Sequence, residues 1–369
     1  MIKETEQTEQ KTERKNRKGY EHIILYYTMR IGSSLLCGRT GCRVLRRTMV
    51  GEQEQESKKA RKQEINKTSN MESKQTRLKE VLAVVNNKGG VGKTTTVQSL
   101  AVAITRQDRQ ARVLCIDLDP QWHLSKLMGW QQGRGRTVLD ALREQTGLPV
   151  YQVPEKKNGY CQPITDDKGI WLCPSVKALQ NVDADLTQQL QPLLALRKCF
   201  FKGVTTADRI DGKYYDGEGP TVPEMFDYVL IDCPPALSKS TYNAMAVANG
   251  LIIPTTLEGM SVSGIAPILV DMQSVKQELN PQLGLTGVLP TMTDLRSNIA
   301  KGILADLREK FGSHLLLFQW FKGNKTPISG IPAIAKMNEA QTKKLSIYDW
   351  QPYSTAGMAY ERLARTLFG

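Results

Sequence analysis

The stretch Lys88-Gly89-Gly90-Val91-Gly92-Lys93-Thr94-Thr95 decides how the rest of the chain is read. The apolar run Val81 to Val85 leads into it, and Thr96, Val97, Leu100, Ala101 and Ile104 follow it at helical spacing. An apolar run, a glycine loop and then a helical period is the order that a nucleoside triphosphate site needs. The glycines let backbone N–H groups turn inward around a polyphosphate, and the helix that opens near Lys93 directs its positive end at the same charge. In such a loop Lys93 pairs with the β- and γ-phosphates and Thr94 holds Mg²⁺. Lys88, Gly89, Gly90, Val91, Gly92 and Thr95 complete the expected nucleotide-binding set. A glycine turn before an ordinary helix is the plainer alternative, but it leaves the agreement in residue type, spacing and context unexplained.

Two carboxylate sites stand at predicted strand ends, where α/β sheets bind their ligands. The run Tyr228 to Ile231 stops at Asp232-Cys233-Pro234-Pro235. Asp232 there can accept from a Mg²⁺-bound water and so fix the metal between phosphates. A helix or turn cap after the strand is the competing reading, and the phosphate loop upstream tips the balance. The second site is Asp117-Leu118-Asp119-Pro120-Gln121, after the run Val113 to Ile116. Asp119-Pro120 would by itself read as a turn.

The loop departs from the commonest phosphate-binding pattern: Asn87 stands where the first glycine belongs, and Lys88 adds a second lysine. With KGGVGKTT the chain resembles the deviant Walker A family of ATPases, the ParA and MinD group. That resemblance implies that Lys88 reaches across a dimer interface to the partner's nucleotide, that Asp117 supports the magnesium site, and that Asp119 orients the attacking water. It extends through Pro234-Pro235-Ala236-Leu237-Ser238, Thr291-Met292-Thr293-Asp294-Leu295-Arg296-Ser297-Asn298 and Ile331-Pro332-Ala333-Ile334-Ala335-Lys336-Met337-Asn338-Glu339-Ala340. It covers about residues 80 to 369. Arg296 and Lys336 occupy positions that contribute to non-specific DNA binding in ParA proteins; the competing reading is solvated surface charge. Two departures stand out. Trp122 and His123 replace the Gly-Asn that follows the second signature in many relatives, and Ala333 replaces a basic residue.

Residues 1 to 80 hold 19 Lys and Arg against 11 Glu and no Asp, so they carry +8 of the formal +13. The remainder is mildly basic, which suits transient contact with a polyanion. Residues 1–78 read as a charged extension, disordered or loosely helical, and 79–369 as the ATPase domain. Seven cysteines without a CxxC pair and three histidines speak against a metal cluster and fit a reduced cytoplasmic setting. No apolar run approaches the ~20 residues of a bilayer span, and the N-terminus lacks a signal-peptide core.

From Leu82 onward the signals alternate in the manner of a doubly wound, mostly parallel α/β sheet with helices on both faces. Strands are expected at Ile170 to Cys173, Leu251 to Ile253 and Leu285 to Leu289. Helices are expected at Thr137 to Glu144, Val182 to Leu196, Val262 to Leu279, Asn298 to Lys310 and Met358 to Leu367. Cys199 to Pro223 reads as a surface insertion.

The function that the resemblance implies is a cytoplasmic, nucleoid-associated ATPase. It would form a homodimer with ATP and Mg²⁺ and bind double-stranded DNA non-specifically. A DNA-bound, ParB-like adaptor would stimulate hydrolysis during plasmid or chromosome partition. The alternative is a MinD-like regulator that cycles on membranes and needs an amphipathic basic helix beyond the core. Tyr360 to Gly369 reads instead as the last core helix, so no membrane partner is expected. An iron protein that shares a cluster between subunits would want other cysteines than Cys233.

Overall fold

The computed structural model describes residues 76–157, 160–162, 168–206, 215–258, 261–318, 330–351 and 353–369. The extension expected at residues 1–78 lies outside them up to residue 75. In chain order, β1 (Glu80–Val84) leads into α1 (Lys93–Gln107), and β2 (Arg112–Asp117) into α2 (His123–Leu127) and α3 (Val138–Glu144). β3 (Pro149–Gln152), the hairpin β4 (Glu155–Lys157) and β5 (Tyr160–Gln162), and β6 (Gly169–Cys173) follow. Next come α4 (Val182–Thr187), α5 (Ala195–Phe200), β7 (Thr205–Thr206) and α6 (Val222–Met225). The second half runs β8 (Tyr228–Asp232), α7 (Lys239–Val247), β9 (Gly250–Thr256), α8 (Ser261–Glu278) and β10 (Gly284–Thr291). It closes with α9 (Asn298–Phe311), α10 (Ala335–Thr342), α11 (Ile347–Trp350) and α12 (Thr355–Phe368).

Eight strands form one sheet in the order β10-β9-β1-β8-β2-β6-β3-β7. Every neighbouring pair is parallel except β3 with β6. The central strands are covered on both faces, which is why they read as continuous apolar runs rather than alternating ones. All of β2 and β8 is buried. On one face, α1 buries Val97, Leu100, Ala101 and Ile104 in the same core as Ala359, Tyr360 and Leu363 of α12. The Tyr360 hydroxyl, which burial would otherwise leave without water, meets the Thr96 hydroxyl at 3.2 Å. Helix α12 is therefore an integral layer of the domain, as its sequence pattern predicts.

Two expectations need correction. The single helix expected from Val182 to Leu196 is broken: α4 stops at Thr187, and Pro192 opens a 3₁₀ turn before α5. Proline has no N–H for a helix interior, and Gln191 before it sits at φ −137°, as the steric demand of the proline ring requires. The stretch Cys199 to Pro223 is more than a surface insertion among its described residues. Val204 is fully buried, and Thr205–Thr206 add the edge strand β7 beside β3.

Candidate active site

The site grows from three neighbouring strand tips. β8 lies between β1 and β2, and the register sets Asp232 beside Val84 on one side and beside Asp117 on the other. The glycine loop leaves β1 at the same end of the sheet. Its Gly90 and Gly92 have φ of +73° and +87°, left-handed conformations that a side chain would oppose. Val91 is buried, and its carbonyl accepts from the Thr291 hydroxyl at 2.8 Å, which ties the loop to the end of β10.

At the start of α1, the buried Lys93 donates its ammonium to the carbonyls of Asn86 (3.0 Å) and Lys88 (3.1 Å). Burial lowers its pKa, while Asp232 opposes that shift. Thr94 Oγ1 donates to Asp232 Oδ2 at 2.7 Å. The second carboxylate oxygen, Asp232 Oδ1, is buried and has no protein partner. A threonine hydroxyl beside an orphaned carboxylate oxygen is an all-oxygen donor set of the kind Mg²⁺ takes, so the residues fit that ion. Burial, and then repulsion from Asp117, push the Asp232 pKa well above the carboxylate range.

Asp117 is committed differently. Its Oδ2 accepts from the N–H (2.9 Å) and hydroxyl (2.6 Å) of Ser125, and its Oδ1 from the Asp119 N–H at 3.1 Å. It thus hangs α2 from the end of β2, beside Asp232. Burial raises its pKa to about 7 against the lowering effect of these donors. Asp119 is buried as well; its side chain accepts from the Gln121 N–H, and its carbonyl from the Ser175 hydroxyl.

Trp122 takes the left-handed conformation (φ 48°, ψ 35°) at the N-terminus of α2. That is where the sequence departs from a glycine, and a non-glycine residue there costs about 1–2 kcal/mol. The Lys126 ammonium lies 4.0 Å over the Trp122 ring, a contact worth roughly 0.5–2 kcal/mol, and donates to the Gln121 carbonyl at 3.2 Å.

Lys88 donates its ammonium to Glu258 Oε2 at 2.6 Å and to Thr256 Oγ1 at 3.3 Å. Both ends of the ion pair are largely exposed. A cleft of about 870 Å³ runs from Gly89, Gly92 and Thr95 past Asp119 to Pro332 and Met337. Across it, Gln341 of α10 donates to Thr95 Oγ1 at 2.6 Å.

The structure brings the glycine loop, Asp117, Asp119 and Asp232 together. Arg296 and Lys336 stand apart on exposed loops and helix, each already paired. Arg296 grips Asp294 through Nε at 2.9 and 3.0 Å and holds that carboxyl down at about 2, while Lys336 binds Glu339 at 2.9 Å. Sequence reasoning missed Glu258, Ser125, Ser175, Lys126 and Gln341. None lies in a motif, and each acts through a contact between distant segments or across one helical turn.

The AAA domain family matches residues 79–285. The chromosome partitioning protein ParA of Caulobacter vibrioides is 32% identical over 77% of this chain and 92% of its own length. The chromosome-partitioning ATPase Soj of Thermus thermophilus is 32% identical over 77% and 93%. Among solved structures, cobyrinic acid a,c-diamide synthase of Mycobacterium smegmatis, with bound ADP and magnesium, superposes with a TM-score of 0.55 at 27% identity, covering 79% of this chain and 94% of that one. The chain belongs to the ParA-type family of P-loop ATPases, and it is an ATPase whose cofactors are ATP and Mg²⁺.

Proposed function

We propose that this ATPase dimerises around ATP, binds double-stranded DNA non-specifically, and drives plasmid or chromosome partition, with a DNA-bound adaptor stimulating hydrolysis. The observation that carries the reading is the convergence of a two-lysine phosphate loop with three buried aspartates at adjacent strand tips. In this scheme Lys93 and the loop N–H groups from Gly89 to Thr95 hold the phosphates, and Thr94 and Asp232 hold Mg²⁺, Asp232 through a water. Held by these residues, the ion would supply charge neutralisation to the phosphoryl groups. Asp117 fixes α2 and the turn that carries Asp119, and Asp119 orients the attacking water. Lys88 must leave Glu258 to serve a second protomer's nucleotide.

The similarity to partition proteins supports the DNA reading, as does the mildly basic balance of the chain after residue 80. Arg296 and Lys336 are the proposed phosphate contacts, and each must exchange an internal carboxylate for DNA. Residues 79–369 form the proposed ATPase body, and residues 1–78 a charged extension to it. Burial of Ala359, Tyr360 and Leu363 in α12 favours this scheme over a membrane-cycling one, because that face is not free for a bilayer. Among the described residues no helix is long and apolar enough to cross a membrane.

Cosedimentation with duplex DNA and with anionic liposomes, each with ATP, separates the two schemes. ATP-dependent binding to any duplex is expected, with the salt slope reduced by about one for each of Arg296→Ala and Lys336→Ala. Binding to liposomes and not to DNA at low salt would remove the partition scheme.

A further inference from the structure

The turn that carries Asp119 has a feature that its chemistry does not require. Trp122, a bulky side chain, occupies a left-handed backbone position at φ 48°, and nothing in the local sequence favours it there. The Trp122 N–H donates to the Asp119 carbonyl at 2.8 Å, and two further contacts that oppose relaxation of the turn come from Lys126: the stack on the Trp122 ring at 4.0 Å and the hydrogen bond to the Gln121 carbonyl at 3.2 Å. Gln121 is also the residue whose N–H binds the Asp119 carboxylate at 2.8 Å. One ammonium therefore grips the two residues that follow the Asp119-Pro120 corner. Asp119, Gln121 and Lys126 line the same cleft as Gly89, Gly92 and Lys93.

We propose that Lys126 is a positioning residue for Asp119: by stacking on Trp122 and binding the Gln121 carbonyl, it holds a strained turn in the conformation that keeps Asp119 beside the phosphate loop. The proposal rests on the reading of Asp119 as the residue that orients water. A glycine at position 122 adopts this conformation without strain and needs no lock; tryptophan does need one, and Lys126, one helical turn on, provides it.

The test compares Lys126→Met, Trp122→Gly/Lys126→Met and Asp119→Asn in the full chain, by steady-state ATP turnover with thermal melts alongside. Lys126→Met is expected to lower kcat about 5- to 30-fold, the population factor for losing contacts of this class. KM for ATP should stay within about twofold, because the phosphate loop is untouched. Introducing Trp122→Gly into that background should recover most of the lost kcat, since it removes the strain that the lysine offsets. A purely structural role for Lys126 would not be rescued by a second truncation. An unchanged kcat in Lys126→Met, or a double variant as slow as the single one, overturns the lock. Wild-type turnover in Asp119→Asn overturns the reading beneath it. Loss in Asp119→Asn beside an unaffected Lys126→Met condemns the lock alone.

Discussion

Asp232→Asn should stabilise the metal-free protein while removing its response to Mg²⁺. Asp232 and Asp117 are register partners on adjacent parallel strands, both fully buried. Charges about 5 Å apart, the spacing of neighbouring strands, repel by roughly 3 kcal/mol at an effective dielectric constant of about 20. Burial raises the pKa of both acids and so offsets part of that repulsion, which leaves an expected relief of about 1–3 kcal/mol. At roughly 2–4 °C per kcal/mol for a domain of this size, the melting temperature should rise by about 2–12 °C. Asparagine keeps an acceptor for the Thr94 hydroxyl. Wild type should gain about 2.7 kcal/mol from a nucleotide at a hundredfold excess over its Kd, and the variant should lose the Mg²⁺-dependent part of that gain. The pH dependence has a definite sign. The folded pKa of Asp117, about 7, lies above its ordinary 3.8, so the native state holds more protons than the unfolded chain between those values. The contribution of Asp117 to stability is then full below about pH 4 and is lost as pH rises through 7. The fall should be shallower in Asp232→Asn, where one of the two raised acids is gone. Calorimetric melts from pH 5 to 8, with and without Mg²⁺ and ADP, measure all of this. A variant that melts below wild type without metal, or that keeps the full Mg²⁺ increment, would refute the reasoning.

Glu258→Gln releases Lys88 from an exposed pair worth at most about 1 kcal/mol, so the melt should hardly move while ATP-dependent dimers form at lower protein concentration. Sedimentation velocity checks this, and weaker dimerisation would count against a role for Lys88 across the interface. Tyr360→Phe leaves the buried Thr96 hydroxyl without its 3.2 Å partner. It should cost about 0.5–1.5 kcal/mol, read as a melt lowered by a few degrees; an unchanged melt would mean that this bond holds nothing between α1 and α12.

The fold was legible where the sheet is buried on both faces. The runs ending at Val85, Ile116 and Ile231 each proved to be a central strand, because a parallel strand covered by helices on both faces carries unbroken apolar sequence. The edge was not legible. β3 and β7 are short, and β7 has two residues of only intermediate burial, so no periodicity could develop. At the site, the loop lysine and the strand-end aspartates announce themselves through spacing. The hydrogen bonds that organise them do not: Ser125 reaches Asp117 from the far side of a turn, and Glu258 reaches Lys88 across 170 residues. The left-handed Trp122 was flagged in the sequence as a departure, but its conformation and its lysine partner could be seen only in three dimensions.

The adjacency of the β1, β8 and β2 tips also divides what this architecture can change from what it cannot. Strand spacing is set by backbone hydrogen bonds, so the distances among the phosphate loop, Asp232 and Asp117 are inherited from the sheet rather than negotiated by loops. The β7 edge lies three strands beyond β2, where length and composition can drift without moving a single ligand. Divergence in such a molecule should therefore accumulate at that margin. A designer wishing to attach a new cargo would graft it there and leave the hydrolytic centre as it stands.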